Sequence, residues 1–285
     1  SSAASDVYKR QPVFRSQLGG PDGFFFADFR LAFKSEFLIN QNLAIYTHAS
    51  QGLYDNFGGL KLASDSILPH VRTDVVKYLQ ASRQKPFIKR LQLNYYHEFT
   101  ENIYTKLAAG IFEDMFTGFG GEVLYRPYVS NYGVGAELWQ VKQRDFRMLF
   151  GSRDYEILTG FVNLYIKEPK SQVLFSIKGG RFLTGDSGIQ FDEARRFKSV
   201  LRIGEFFAKT DISDFEFGEG SFDKGFYFYI PIESFFQEYI KGNTGFGLRP
   251  LTRDGAAVLS HQMPLWGVTE PVSYTHLTLP TKRIV

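Results

Sequence analysis

The residues of this chain best suited to chemistry are carboxylates. Glu216, Glu219 and Asp223 gather within residues 214–224 (DFEFGEGSFDK), a stretch that ends on Lys224. Two carboxyl groups held roughly 5–9.5 Å apart across a sugar can hydrolyse a glycosidic bond, one of them serving as general acid. One reading is therefore an envelope enzyme acting on polysaccharide, with Glu216 or Glu219 as the acid. An acidic loop or a salt-bridged interior explains the same cluster without catalysis, and is preferred. The same holds for Arg144 with Asp145, Arg153 with Asp154, and Arg181 with Asp186, because an interior charge is costly unless compensated.

Other chemistries find no support. His48, His70, His97 and His261 are scattered, with no HExxH and no i, i+4 pair, so a zinc site is not expected. Gly118-Phe119-Gly120-Gly121 lacks the Lys-Ser/Thr of a phosphate-binding loop. Its glycines suit a bulge or tight turn where strands crowd. No GxSxG nucleophile elbow occurs, and the chain contains no cysteine. Catalytic residues, metal and cofactor are all expected to be none.

The elements that must position these side chains are β-strands. Aromatic residues make up 17% of the chain, with 30 Phe and 16 Tyr beside 27 Gly, yet mean hydropathy is only −0.19. No stretch approaches 18 consecutive apolar residues, which excludes a transmembrane helix. Many aromatics and glycines at modest hydropathy fit a transmembrane β-barrel, whose strands alternate between lipid and lumen. A soluble β-rich glycan-binding module fits the composition as well.

Alternation separates the two. Residues 87–99 place Phe87, Lys89, Leu91, Leu93, Tyr95, His97 and Phe99 on one face, and Ile88, Arg90, Gln92, Asn94, Tyr96 and Glu98 on the other. A turn at 100–102 leads to a hairpin partner at 103–112. Residues 131–141 put Tyr132, Val134, Ala136 and Leu138 opposite Gly133, Gly135 and Glu137, the pattern of a crowded polar interior. Further strands are expected at 157–166, 172–178, 200–209 and 225–230, the last apolar or aromatic on both faces. The spacing is longer than the roughly 8–12 residues of soluble sandwiches, which favours a membrane barrel. Residues 69–80 (PHVRTDVVKYLQ) break the pattern. Val71, Val75, Tyr78 and Leu79 form the stripe of a short amphipathic helix, capped by Asp65 or Ser66, that packs at a barrel rim or plugs the lumen. A second helix is expected at 233–240.

The two ends are unlike the rest. Residues 1–11 (SSAASDVYKRQ) and 272–281 (VSYTHLTLPT) can be encoded by complementary strands of one DNA string, which resembles a sequencing-library adapter. Residues 1–11 and 271–285 are therefore read as foreign, and 12–270 as one β-barrel domain, the C-terminal part of a longer protein. Without the ends, the 33 basic and 30 acidic residues fall by four and one, and the charges balance. No nucleic-acid partner is expected.

Several segments together resemble one family: 102–127 (NIYTKLAAGIFEDMFTGFGGEVLYRP), 141–146 (VKQRDF), 179–188 (GGRFLTGDSG), 216–231 (EFGEGSFDKGFYFYIP) and 248–256 (LRPLTRDGA). They are similar to the YjbH-like exopolysaccharide and capsule biosynthesis proteins, bacterial outer-membrane β-barrel lipoproteins. The resemblance implies longer full-length relatives, with a lipidated N-terminus and more than one barrel-like region. The resulting expectation is an all-β, antiparallel transmembrane-type barrel, left incomplete, with one or two short helices. It would lie in the bacterial outer membrane and assist exopolysaccharide or capsule secretion without catalysis. Its partners would be outer-membrane lipid, polysaccharide and other secretion proteins. Candidate lumen residues for glycan binding are Glu122, Arg126, Glu137, Arg144, Asp145, Arg181, Asp186, Glu216, Glu219, Asp223 and Lys224.

Overall fold

In a computed structural model, the chain is described at residues 7–18, 22–60, 66–128, 130–197, 201–213, 222–231, 243–248 and 254–269. Thirteen strands form one antiparallel sheet in which every strand pairs with its neighbours in sequence. They are β1 (Val7–Leu18), β2 (Phe25–Leu38), β3 (Leu43–Asp55), β4 (Pro86–Thr100), β5 (Ile103–Ile111), β6 (Phe116–Tyr125) and β7 (Tyr132–Arg144). There follow β8 (Ser152–Glu168), β9 (Val173–Arg181), β10 (Ser187–Arg196), β11 (Arg202–Thr210), β12 (Asp223–Pro231) and β13 (Asn243–Leu248). Among the described residues the sheet is open, with β1 and β13 as its two edges. β1 includes residues 7–11, read above as foreign, paired with β2.

The polarity of this sheet is that of a transmembrane barrel. Leu107, Leu138, Val162 and Ile189 are 61, 56, 62 and 60% exposed, whereas Gln92, Lys106 and Thr159 are fully buried. Period-two geometry sends successive side chains to opposite faces, so a strand can be apolar outside and polar inside. β7 shows this without exception over its first half: Tyr132, Val134, Ala136 and Leu138 point out, and Gly133, Gly135, Glu137 and Trp139 point in.

Three expectations need correction. Phe87 is buried inside, not on the outer face with Leu93 and Tyr95. The β3–β4 register steps from Arg90 to Ile88, so Lys89 is an extra residue, and this bulge exchanges the faces on either side of it. The glycines at 118–121 make neither bulge nor turn. They lie inside β6, in unbroken register with β5 and β7, and a methyl group at Gly118 or Gly120 would collide with the Gln140 or Leu138 carbonyl oxygen. Strands β2, β3, β6, β10 and β13 also lie outside the segments expected from alternation. In β6 the glycines supply no side chain to carry the pattern.

The helix forms later than expected. Helix α1 spans Val75–Ala81 with Asp74, not Asp65 or Ser66, at its N-cap. The Arg72 and Thr73 amides donate to Asp254 Oδ1 (2.7 and 2.9 Å), which fixes the chain before the helix in turns. Val71, Tyr78 and Leu79 are buried, as the stripe requires. A short helix α2 spans Leu265–Thr269. The helix expected at 233–240 lies outside the described residues.

Connections differ between the two ends of the sheet. At one end the described connections are short, the tightest being Glu101-Asn102 between β4 and β5. The other carries the longer segments 56–85, 145–151 and 211–222. The β3–β4 connection, including α1, folds inward from this second end. Its Val71, Val75 and Tyr78 pack with Phe112, Phe116, Trp139 and Val141 in the largest apolar cluster.

Candidate functional site

The interior is filled by two pieces of the chain's own polypeptide. The first is the α1 insert. The second is residues 254–269, here called the strap, which follow β13 in sequence and run the length of the sheet's inner face. At the long-connection end, Asp254 caps the α1 insert. Ala256 N donates to Asp186 Oδ2 (2.8 Å), and Leu183 N donates to Ala257 O (2.9 Å). Arg72 joins insert, sheet and strap, reaching Glu113 with two nitrogens (2.6 and 3.2 Å) and Val258 O with one of them (2.7 Å). Ser260 N then donates to Glu113 (3.0 Å), and Gln262 N to Gln92 Oε1 (3.0 Å). At the short-turn end Leu265 N donates to Glu122 Oε2 (2.9 Å). Arg126 lies 4.0 Å over the Trp266 ring and donates to Trp266 O (3.2 Å).

Midway stands the densest charged group. His261 Nε2 lies 3.1 Å from both Glu122 Oε1 and Glu137 Oε2. Its Nδ1 lies 3.0 Å from Lys106 Nζ, which also donates to the Gln262 and Met263 carbonyls (2.6 and 3.1 Å). Because an ammonium only donates, Nδ1 accepts there, and Nε2 carries the proton shared between the two carboxylates. Glu137 further accepts from Trp139 Nε1 (3.0 Å), Asn163 Nδ2 (3.1 Å) and Lys178 Nζ (3.3 Å). Ligand-type atoms of Glu122, Glu137 and His261 fall within 4.8 Å of one another. Two lysines already balance the two carboxylates, so charge alone does not require a metal ion.

The expected site residues fall into different settings. Glu122, Arg126, Glu137 and Asp186 all hold the strap. Arg144 is 1% exposed and donates to four carbonyls, those of Ile88, Glu113, Asp114 and Leu149. It clamps neighbouring segments and does not pair with Asp145, which lies in the β7–β8 connection. Arg153 pairs with Asp74 (3.2 Å), not Asp154. Neighbours along a strand point to opposite faces, so adjacent opposite charges there are not partners. Arg181 is exposed and reaches Gly185 O (3.3 Å), while Asp186 turns inward to the strap. Asp223 is buried at the start of β12, and Lys224 is exposed, 4.8 Å over the Phe222 ring. Glu216 and Glu219 lie outside the described residues.

Lys106, Lys178 and His261 were not among the expected site residues. A lysine at an inward position of an otherwise apolar strand is the signal that could have found the first two, since it demands a buried partner. His261 carries no local signal, because its partners are more than 120 residues distant in sequence.

The α1 insert also carries a histidine–aspartate pair that makes its stability pH-dependent. His70 Nδ1 lies 3.1 Å from Asp74 Oδ1, and its Nε2 lies 2.9 Å from Ser66 O. Burial opposes protonation of His70, but these bonds and the Asp74 charge outweigh it and raise its pKa. Burial likewise opposes ionisation of Asp74, yet Lys77 and His70 hold its pKa low. The raised imidazole stabilises the folded insert fully below about pH 6.5, and the effect is lost as pH climbs through the raised value. The lowered carboxylate stabilises it above about pH 3.9, and that effect is lost as pH falls through the lowered value. Amide protection of α1, corrected for intrinsic exchange, should peak between these limits. His70→Ala should flatten the alkaline side of that profile.

The family described as "Exopolysaccharide biosynthesis protein YbjH" matches residues 2–271. "Uncharacterized lipoprotein YjbH" of Escherichia coli (strain K12) is 32% identical over 266 residues, which cover 90% of this chain and 38% of that protein. Two structures of OmpT, an outer membrane protein of Vibrio cholerae, are similar at 11 and 12% identity, with TM-scores of 0.37 and 0.34. The first, a loop L8 deletion mutant, and the second, folded in vitro, each align over 80% of this chain, covering 87 and 81% of their own. With nearly its whole length matched, the chain belongs to the YjbH family of exopolysaccharide biosynthesis proteins.

Proposed function

We propose that this chain is a β-barrel domain of the bacterial outer membrane that assists secretion or surface assembly of an exopolysaccharide or capsule, without itself cleaving or forming glycosidic bonds. The single observation that carries this reading is the inverted polarity of the sheet. Its outer face is a field of leucine, valine, isoleucine and phenylalanine, and its inner face is hydrogen-bonded and charged. In water such a face would cost its whole exposed apolar area; in a bilayer the same face is matched to its solvent. The family supplies the link to exopolysaccharide, and the E. coli relative's description as a lipoprotein supports an envelope location. Outer-membrane lipid, polysaccharide and other secretion proteins are the proposed partners. The inner carboxylates engage the chain's own amides and lysines, which suits holding a segment in place better than bond cleavage.

The test uses the full-length protein in cells that make the polysaccharide. Leu138→Arg puts a charge on the outer face and should cost about 2–4 kcal/mol near the bilayer midplane, seen as depletion from the outer-membrane fraction and loss of surface polysaccharide. Normal membrane recovery of this variant, or unchanged surface polysaccharide in a strain lacking the protein, would overturn the reading.

A further inference from the structure

We infer that the strap occupies a track built for a polysaccharide, and that the glycan displaces it when the domain works. The inference rests on the membrane-barrel reading above and adds the site, its ligand class and its resident competitor.

Three features of the inner face carry it. First, the strap is held along its length by side chains of the sheet acting on its main-chain groups. Gln92, Glu113, Glu122 and Asp186 accept from its amides, and Lys106 and Arg126 donate to its carbonyls. A sugar hydroxyl both donates and accepts, so a glycan chain can satisfy every one of these groups in place of peptide. Second, two aromatic platforms lie beneath the strap. Trp139 packs on the His261 ring at 4.7 Å, and Tyr165 stacks on Trp266 at 4.7 Å with the planes 11° apart. Gly133 leaves the space that the Trp266 ring fills. With the strap withdrawn, Trp139 and Tyr165 present flat apolar surfaces flanked by Glu137 and Asn163, the pairing of ring and polar group that orients a ligand in a binding site.

Third, the strap fits the track imperfectly. Ala256 and Met263 adopt left-handed backbone (φ +58° and +53°), a conformation that costs non-glycine residues energy. Asn163 Oδ1, Tyr96 Oη and Trp266 Nε1 are buried without a hydrogen-bond partner among the described residues. The same features occur elsewhere in the fold, at Met148 and at Arg144 Nε among others; in the strap they lower the cost of leaving the track. Displacement needs only that the glycan bind the strap-free state better than the strap does.

The experiment locks the strap in place. Leu183 and Ala257 are joined by a main-chain hydrogen bond (2.9 Å), and these 285 residues contain no cysteine, so Leu183→Cys with Ala257→Cys is introduced into the full-length protein and the cross-link between these two positions is verified by peptide mass spectrometry. The oxidised pair should reach the outer membrane normally, yet lower surface polysaccharide at least tenfold. Reduction should restore it, and each single-cysteine variant should behave as the parent. Equal surface polysaccharide from the locked and reduced forms would show the strap to be a permanent filling and overturn the inference, leaving the export reading intact. A second measurement avoids cross-linking. Exopolysaccharide purified from the producing cells should speed amide exchange at Ala256, Ser260, Gln262 and Leu265 of the purified protein at least tenfold, and dextran should not. Unchanged exchange overturns the inference.

Discussion

Arg144→Met should destabilise the folded domain by roughly 4–6 kcal/mol, the largest effect expected of any single substitution here. The guanidinium donates to four carbonyls, one in β4, two in the β5–β6 connection and one in the β7–β8 connection. Methionine fills much of the volume but satisfies none of them. Each buried carbonyl left without a donor carries its own desolvation cost. Arg144→Lys should recover only a minority of the loss, because an ammonium cannot span the same fork of acceptors. The measurement is the unfolding midpoint of the refolded protein in detergent, read by urea titration. An arginine whose removal shifted the midpoint by less than about 1 kcal/mol would not be holding these segments together.

Glu137→Ala should cost about 3–5 kcal/mol, the usual consequence of removing one member of a buried charged group. Four partners lose their acceptor at once: Trp139, Asn163, Lys178 and His261. The loss should be partly reversed by Lys178→Met in the same molecule, since the uncompensated lysine is then gone. The double-mutant coupling between these two positions should exceed about 1 kcal/mol. Glu137→Gln separates charge from shape. It keeps one acceptor oxygen, enough for Trp139 Nε1 or Asn163 Nδ2 but not both, since they use different carboxylate oxygens, and it should fall between the parent and the alanine variant. Strict additivity of the two substitutions would show that Lys178 and Glu137 do not depend on one another.

Much of the sheet was legible because period two leaves few alternatives. The β7 faces could be written down from residues 131–141 alone, and Glu137 stood out there as the one carboxylate among glycines. The segment 226–230 was harder, being aromatic throughout. Phe226 points out, whereas Tyr229 shares the other face with Tyr227, their rings 5.6 Å apart, and Tyr227 turns in and donates from its hydroxyl to Asp192 (3.1 and 3.2 Å). Its phenol makes it amphipathic, so hydropathy cannot assign its face. The strap was not legible at all. Before α2 it repeats no period, because each residue answers to a different strand and not to its own neighbours. A sequence window detects local regularity, and here the information lies in the sheet that surrounds the segment. The expected pairings of sequence-adjacent charges failed for the complementary reason: adjacency in a strand separates side chains.

The open seam between β1 and β13 acquires a meaning from the strap. A polypeptide lying inside a closed cylinder must either be threaded end-first or be present before closure, and protein chains rarely thread. Here the strap follows β13, an edge strand among the described residues, so while that edge is unpaired it can swing in sideways, like a cord laid in an unclosed tube. Any strand that later joined β1 to β13 would trap it, after which it could leave only along the axis. Assembly order would then set how long the strap resides: weakly held before the seam is covered, and limited to axial sliding afterwards.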